Sequence, residues 1–274
     1  MAKPLVSDEL WARVEPELPV VKRRARYPGR KRIRDRQVLA GILFVLKTGI
    51  AWEDLRQEMG CGSGMTCWRR LAEWTRAGVW QRLHHVLLDE LDDAGQIDWS
   101  RAVVDSSHVR AKGGGEQTGP SPVDRSRKGS KHHLICCGNG VPLAVTLTAA
   151  NRNDITQLLE LVDRVPPIGA HGRFRPKALL ADRAYDSARH RRELRARGIT
   201  PRIAKRGSAQ QPTEHGSGLG VERWVIERSI SWLHNQRRLA RRYDRRADIH
   251  EAFLTIGCAL ICQQQLTRHQ NSFC

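Results

Sequence analysis

The sequence has little that would predict a membrane-spanning segment, a secretory signal or a disulfide pattern, and we expect none of the three. It contains no apolar run of about 20 residues and no strongly amphipathic Lys/Arg helix, which excludes a transmembrane or basic membrane-surface protein. No apolar stretch follows Lys3, and the seven cysteines are odd in number and irregularly spaced. The sequence therefore indicates a cytoplasmic protein with free thiols and no association with a membrane.

Acidic residues are scarce relative to basic ones. The 274 residues include 47 Lys and Arg but only 29 Asp and Glu, which leaves a formal charge of +18. Because 40% of the residues are hydrophobic, the chain can bury a sizeable core and is not a disordered polycation. A surplus of this size on a folded chain favours a polyanionic partner, and nucleic acid is the leading candidate.

Residues 5–98 have the apolar spacing of helices. A short helix is predicted over residues 8–17, followed by a basic loop over residues 22–36 and a helix around Val38–Leu46. A short helix over residues 52–58 and a Gly-rich turn lead into a further helix over residues 65–76, an arrangement typical of a helix-turn-helix. Arg69, Arg70 and Arg76 on this last helix are predicted DNA contacts. A plain helical hairpin with solvated arginines is the alternative.

From residue 99 onward the pattern changes to short buried strands followed by helices. Strands are predicted at residues 102–104, 134–137, 142–147 and 177–181, with Gly138-Asn139-Gly140 as a hairpin turn. Helices are predicted at residues 157–165, 187–197, 221–243 and 249–266. Strands covered by helices imply an α/β layer, so we expect a helical domain at residues 1–98 and an α/β domain at residues 99–274.

Three carboxylates are candidates for a catalytic role. Asp105 and Asp182 each directly follow a buried apolar run, where a carboxylate is costly unless it is paired or bound to a metal. Glu227 lies on a basic face of the predicted C-terminal helix. Each residue alone is more often a turn former, a helix cap or a surface ion-pair partner. Together they can form a two-metal site for phosphodiester chemistry, in which water or a 3′-hydroxyl is the nucleophile.

Around these carboxylates the sequence resembles the bacterial insertion-sequence transposases of the IS-four/IS-five class. The matching stretches are AVVDSSHVRA, GVPLAVTLTAANRNDITQL, LLADRAYDS and RWVIERSISWLHNQRRLARRYDRR, with further support from LAGILFVLKTGIAWEDL, TCWRRLAEWTRAGVW and HEAFLTIGCALICQQQL. The resemblance covers nearly the whole chain. It implies a ribonuclease-H-like catalytic domain, a mixed sheet flanked by helices, with Asp105, Asp182 and Glu227 as its catalytic and metal-binding residues.

The resemblance also implies cofactors and partners. It implies two Mg²⁺ ions, which Mn²⁺ can replace, and double-stranded DNA in the form of transposon ends and target DNA. Because two ends must be held together, it implies a homodimer on DNA, associated with the bacterial nucleoid when bound. The family's Tyr-x2-Arg-x3-Glu-x6-Lys signature is only partly present: Arg223 and Glu227 fit, but Gly220 replaces the Tyr and His234 the Lys.

Further basic residues near the carboxylates are predicted DNA contacts. They are Lys128 and Lys131 beside a Gly-rich loop, Arg183 after Asp182, and, on the Glu227 helix, Arg223, His234 and Arg238.

Three rival interpretations remain open, besides an inactive transposon relic, against which the intact acidic trio argues. A nuclease on the same fold would cut nucleic acid without joining strands, and would not need the N-terminal sequence reader. A non-catalytic DNA-binding protein would show no metal dependence. A zinc site at His132, His133, Cys136 and Cys137 is disfavoured because neighbouring strand residues point to opposite faces and no second Cys-x2-Cys pair exists.

Overall fold

The computed structural model describes residues 4–22, 25–27, 29–169, 176–205 and 218–271. Cys274 lies outside these ranges, and the other six cysteines are buried free thiols, as predicted. Within the described ranges, none of the helices combines the length and the apolar character that crossing a membrane requires.

The N-terminal part is helical, as the apolar spacing predicts. Its helices are α1 (Asp8–Val14), α2 (Asp35–Thr48), α3 (Gly64–Arg76) and α4 (Val79–Asp93). The Ser63 side chain caps α3 by accepting a hydrogen bond from the Thr66 amide, which satisfies one of the free N–H groups of the first turn. The predicted short helix over residues 52–58 instead forms two 3₁₀ turns, Trp52–Asp54 and Gln57–Met59.

Helices α2 and α3 approach each other closely at Gly41. A Cβ atom at this position would lie 2.7 Å from Cys67 Sγ and 3.0 Å from Cys61 Sγ. Glycine is therefore required where the two helices meet, and the helical pair that carries Arg69 is tightly packed rather than loosely hinged.

The described part of the C-terminal half contains a mixed six-stranded sheet. Its strands are β1 (Ala102–Arg110), β2 (Gly119–Pro120), β3 (Lys128–Cys137), β4 (Pro142–Ala149), β5 (Ala178–Ala181) and β6 (Thr200–Ile203). Strand β3 is antiparallel to β1 on one side and to β4 and β2 on the other, while β1, β5 and β6 are parallel. The turn predicted at Gly138–Gly140 joins β3 and β4. Strands β2 and β6 are short and were not predicted.

Helices cover both the sheet and the N-terminal helices. They are α5 (Leu158–Arg164), α6 (Ala188–Ala196), α7 (Gly218–His234), α8 (Arg237–Ala240) and α9 (Ala247–Asn271). The predicted single helix over residues 221–243 is interrupted after His234, and α8 begins at Arg237. Helix α7 lies on β1 and β3, whereas α9 packs against α4 and β4. The buried apolar residues of both halves thus form one continuous core.

Because two histidines are buried in this core, we expect the protein to lose stability in acid. Burial lowers the pKa of His84 and of His133 to about 4. Because an unfolded histidine has a pKa of about 6.5, the unfolded chain takes up protons first, and stability falls as the pH drops from about 6.5 toward 4. Protonation of each of these two histidines in the unfolded chain should lower the free energy of unfolding by about 2 kcal/mol at pH 5. Urea unfolding at pH 7.5 and pH 5 measures this loss.

A variant of His84 provides the control for this prediction. His84 Nε2 lies 2.9 Å from the Pro142 carbonyl oxygen, so His84→Gln can keep a donor at this position without a titrating group. The variant should show a smaller loss of stability between the two pH values than the native chain. Equal stability of the native protein at pH 7.5 and pH 5 would contradict the argument.

Candidate active site

Asp105 on β1 and Asp182, which directly follows the neighbouring parallel strand β5, lie opposite each other. Ala102 pairs with Leu179 and Val103 with Leu180, and the same register, continued, places Asp105 opposite Asp182. The Asp182 side chain also caps the turn that follows β5, because its Oδ1 accepts a hydrogen bond of 2.8 Å from the Ala184 amide. The structure therefore brings together the two aspartates that the apolar runs predict.

One detail of that prediction is wrong. Asp105 does not stand at the end of its strand, because β1 continues to Arg110. The antiparallel partner β3 pairs with β1 over this whole length, while the parallel partner β5 stops at Ala181. Asp105 thus lies where the parallel part of the sheet ends. Beyond this point β1 has no strand partner on the side of β5.

The Asp105 carboxylate is held by two donors in a largely desolvated place. Oδ2 accepts a hydrogen bond of 3.0 Å from Arg223 Nη2, and Oδ1 accepts one of 2.8 Å from the Ser106 amide. Burial raises the pKa of Asp105, and the charge of Asp182 raises it further, while the Ser106 amide and Arg223 oppose the rise. Two neighbouring carboxylates, of which one is paired with an arginine, leave an environment that favours an additional cation.

Helix α7 is fixed across β1 at two points. The Arg223–Asp105 ion pair is the first, and His234 Nε2, 3.3 Å from Ser107 Oγ, is the second. Glu227 follows Arg223 by four residues and so shares its side of α7, with an exposed side chain. Among the described residues no group of three or more His, Cys, Asp or Glu side chains is arranged to hold a metal ion. Glu227 as third ligand therefore stays a prediction.

A polar network lies behind Asp105. Asp154 Oδ1 accepts hydrogen bonds of 2.9 Å from both Ser106 Oγ and Lys131 Nζ. The pKa of the Tyr185 hydroxyl is raised well above 10 by burial first, and then by the charges of Asp154, Asp105 and Asp182. Ser106 was not among the residues predicted from the sequence, although its position next to Asp105 was a signal. The network fixes the backbone that carries Asp105.

A row of histidines connects this region to the core. His132 Nε2 lies 2.9 Å from His250 Nε2, and the His132 ring is also 5.7 Å from the His234 ring, centroid to centroid. Burial lowers the pKa of all three imidazoles. His132 is thus engaged with His250 and His234, so it belongs to this row and not to the zinc site considered from the sequence. No sequence signal connects His250 with His132.

Several predicted DNA contacts are placed where a polyanion can reach them. The side chains of Arg69 and Arg76 on α3, Lys128 at the start of β3 and Arg183 beside Asp182 are exposed. Arg223 and His234 are half-buried and face β1, as described above. These residues keep the role of predicted DNA contacts.

The structure corrects three other predicted DNA contacts, which are buried and already paired. Arg70 is 6% exposed and forms an ion pair with Asp35. Lys131 is 5% exposed and donates to the Arg152 carbonyl oxygen and to Asp154. Arg238 is 4% exposed, binds Asp244 and donates to the Ile50 carbonyl oxygen. Their guanidinium and ammonium groups stabilise the fold and are not available to DNA phosphates.

Comparison with known families finds matches over both parts of the chain. Residues 100–262 match the family described as the transposase DDE domain. Residues 6–84 match the family described as putative transposases of the IS4/5 family. The first match includes Asp105, Asp182 and Glu227.

Individual relatives agree with the family matches. The chain is 55% identical over 175 residues to a putative transposase of insertion sequence element IS402 from Burkholderia cepacia, covering 63% of this chain and 79% of the relative. It is 59% identical over 123 residues to an uncharacterized 16.2 kDa protein of the same element, covering 44% of this chain and 84% of that protein.

A solved structure shows the fold relationship. The piggyBac transposase, in a synaptic complex with hairpin DNA, is similar with a TM-score of 0.52 and 11% identity, covering 94% of this chain and 72% of that one. The expected ribonuclease-H-like fold, with a helical region before it, is confirmed.

Proposed function

Since the chain belongs to the DDE transposases, in the IS4/5 group of insertion sequences, we propose that it binds the ends of an insertion sequence, cleaves the DNA there and transfers the freed strand to target DNA. The observation that carries this proposal is the pair formed by Asp105 and Asp182 at the end of the parallel strands. A carboxylate pair of this kind, with Asp105 largely desolvated, suits phosphodiester chemistry assisted by hard cations.

The donor set fits a divalent metal in part. Two adjacent carboxylates with one arginine can hold a hard cation, and we propose that Glu227 completes the set when DNA is bound. When bound, a pair of Mg²⁺ ions, or Mn²⁺ in their place, activates the attacking oxygen and stabilises the leaving one. Arg223 meanwhile holds Asp105 in position, and the Ser106 amide fixes the carboxylate's other oxygen.

The exposed cations suggest how DNA lies on the protein. We propose that residues 1–98 read the transposon end through Arg69 and Arg76 of α3, and that residues 99–274 cut it. Arg183, next to Asp182, and Lys128 at the start of β3 would contact the backbone near the cut. We further propose a homodimer on double-stranded DNA, because two ends must be joined to one target.

Metal removal tests the proposed reaction. The full chain is incubated with a duplex that carries the element's own ends, in Mg²⁺, in Mn²⁺ and in EDTA. We expect cleavage at the ends and joined products with either metal, and binding without cleavage in EDTA, since the carboxylates need a cation to act.

Three results would count against the proposal in different ways. Cleavage without joined products would indicate a nuclease, and end binding without cleavage in any metal would indicate a non-catalytic DNA-binding protein. Cleavage that continues unchanged in EDTA would exclude a role for the carboxylates in binding metal.

A further inference from the structure

The basic loop predicted over residues 22–36 ends in a segment that carries three exposed cations. This segment, residues 29–34, belongs to no helix or strand and leads into α2; we call it the basic arm. The side chains of Arg30, Lys31 and Arg34 are exposed, and none of the three forms an ion pair with an acidic side chain in the ranges that the structure describes. The arm is therefore a positive surface whose charge is left for an outside partner.

The arm is fastened to α3 and to the turn before it. Arg32 Nη2 donates hydrogen bonds of 2.8 and 3.0 Å to the Glu73 carboxylate on α3. Ile33 lies against Gly62, where a Cβ atom would be 2.3 Å from Ile33 Cδ1 and where φ is +81°. Gly62 immediately precedes Ser63, the N-cap of α3. The arm thus runs beside the helix that carries Arg69 and Arg76, and it touches the start of that helix.

The arm and α3 differ in width, so they fit different grooves of duplex DNA. An α-helix with its side chains is about 10–12 Å across and enters the major groove, which is about 12 Å wide. The minor groove is only about 6 Å wide, which admits a single chain without secondary structure but not a helix. In a helix-turn-helix bound to DNA, the first residues of the second helix contact the bases. An arm attached at that end of α3 lies next to the adjoining minor groove.

We propose that the basic arm binds the minor groove of duplex DNA beside the major-groove site of α3, and that it prefers A·T to G·C pairs there. A narrow A·T-rich minor groove has an enhanced negative potential, which attracts arginine and lysine side chains. In G·C pairs the guanine amino group projects into this groove. The use of the arm to select an A·T-rich flank at the transposon end rests on the proposed function, whereas its groove preference does not.

Three duplexes of equal length test the groove preference of the full chain by fluorescence anisotropy in EDTA. One contains A·T pairs, one G·C pairs, and one inosine paired with cytosine. Inosine lacks the guanine amino group, so its pair with cytosine resembles A·T in the minor groove and G·C in the major groove. The native chain should bind the A·T and inosine duplexes about 5-fold or more tightly than the G·C duplex, the lower value for one unfavourable base pair.

The double variant Arg30→Ala/Lys31→Ala should bind all three duplexes more weakly and with nearly equal affinity. Its melting temperature should match that of the native protein, because both side chains are exposed. Arg192→Ala/Arg195→Ala is the matched control, since it removes the same charge from exposed arginines of α6. This control should keep the preference of the native chain for the A·T and inosine duplexes.

The other outcomes contradict the proposal in distinct ways. Preference for A·T over both other duplexes would place the recognition in the major groove, and equal native affinity for all three would reduce the arm to a phosphate contact. An unchanged preference in Arg30→Ala/Lys31→Ala would assign it to another surface. Each of these results overturns the proposal.

Recognition of the element's own end is measured separately, by competition with an unrelated duplex. A native chain that shows the groove preference but does not favour the element's end would contradict the proposed function and leave the arm's binding mode in place. A native chain that cleaves the ends without any groove preference would refute this inference alone.

Discussion

Replacing Asp105 by asparagine should abolish cleavage of the element's ends without weakening the fold. Even residues that only support metal ligands change activity by about 10- to 100-fold when replaced. Removal of a carboxylate of the proposed reacting pair should therefore lower the rate by more than about 100-fold. Single-turnover cleavage assays at saturating Mg²⁺ measure the effect, and gel-shift assays of the same variant should show that the ends are still bound.

The expected stability of this variant follows from the electrostatics of Asp105. Burial and Asp182 raise the pKa of Asp105, so its ionised form is less favourable in the folded than in the unfolded chain at neutral pH. Asparagine cannot ionise and has nearly the same shape. The stability gained by removing this unfavourable buried charge offsets the loss of the Arg223 ion pair. We therefore expect a melting temperature equal to or above that of the native protein.

Asp163→Asn is the matched control for activity. Asp163 is bound to Arg197 on the surface, 2.9 Å away, and takes no part in the strand pair. The control should cleave at the native rate. Native cleavage by Asp105→Asn would remove Asp105 from the reaction, and a strongly lowered melting temperature would show that its loss of activity reflects unfolding.

Replacing Asp244 by asparagine should have the largest effect on stability. Asp244 accepts hydrogen bonds of 2.8 and 3.1 Å from Arg238, and both side chains are buried. The pKa of Asp244 is lowered to about 2, with His250 and Arg238 opposing the effect of burial. Breaking a buried pair by removing one partner leaves the other charge without compensation and costs about 3–5 kcal/mol. Urea unfolding at pH 7 measures the loss.

Asp248→Asn provides the comparison, four residues further along the chain. Asp248 binds Arg246 at the surface, where an ion pair contributes only about 0–1 kcal/mol. We therefore expect Asp244→Asn to lower the free energy of unfolding clearly more than Asp248→Asn does. Because the folded pKa of Asp244 is depressed, its contribution is present above about pH 4 and disappears as the pH falls through 2. Equal unfolding free energies for the two variants would contradict this assignment.

Local sequence patterns were sufficient to predict much of the fold. The apolar runs before Asp105 and Asp182 predict buried strands, and the structure places the two carboxylates opposite each other where the parallel part of the sheet ends, although β1 itself continues beyond Asp105. The Gly138–Gly140 turn is likewise a local signal. Strand β6 is as short as β5 but has only one buried residue, Ile203, so no apolar run marks it, and its pairing depends on partners elsewhere in the chain.

The burial of three predicted DNA contacts could not be deduced from sequence position. Arg238 is bound by the Ile50 carbonyl oxygen, 188 residues away, and Lys131 by the loop that carries Arg152. A basic residue on a helix or strand normally lies in solvent, and only long-range partners make its burial affordable. The sequence could therefore indicate which residues are basic, but it could not distinguish the exposed cations from the buried ones that stabilise the fold.

The packing of α9 on α4 has a consequence for synthesis of the protein on the ribosome. The apolar face of α4 is completed early, but the helix that covers it begins only at Ala247. At about 5–20 residues per second, translation leaves this face without its final partner for roughly 8–30 s. The nascent N-terminal helices are thus open to chaperones and proteases during that interval, and they reach their native packing only after the catalytic sheet has been made.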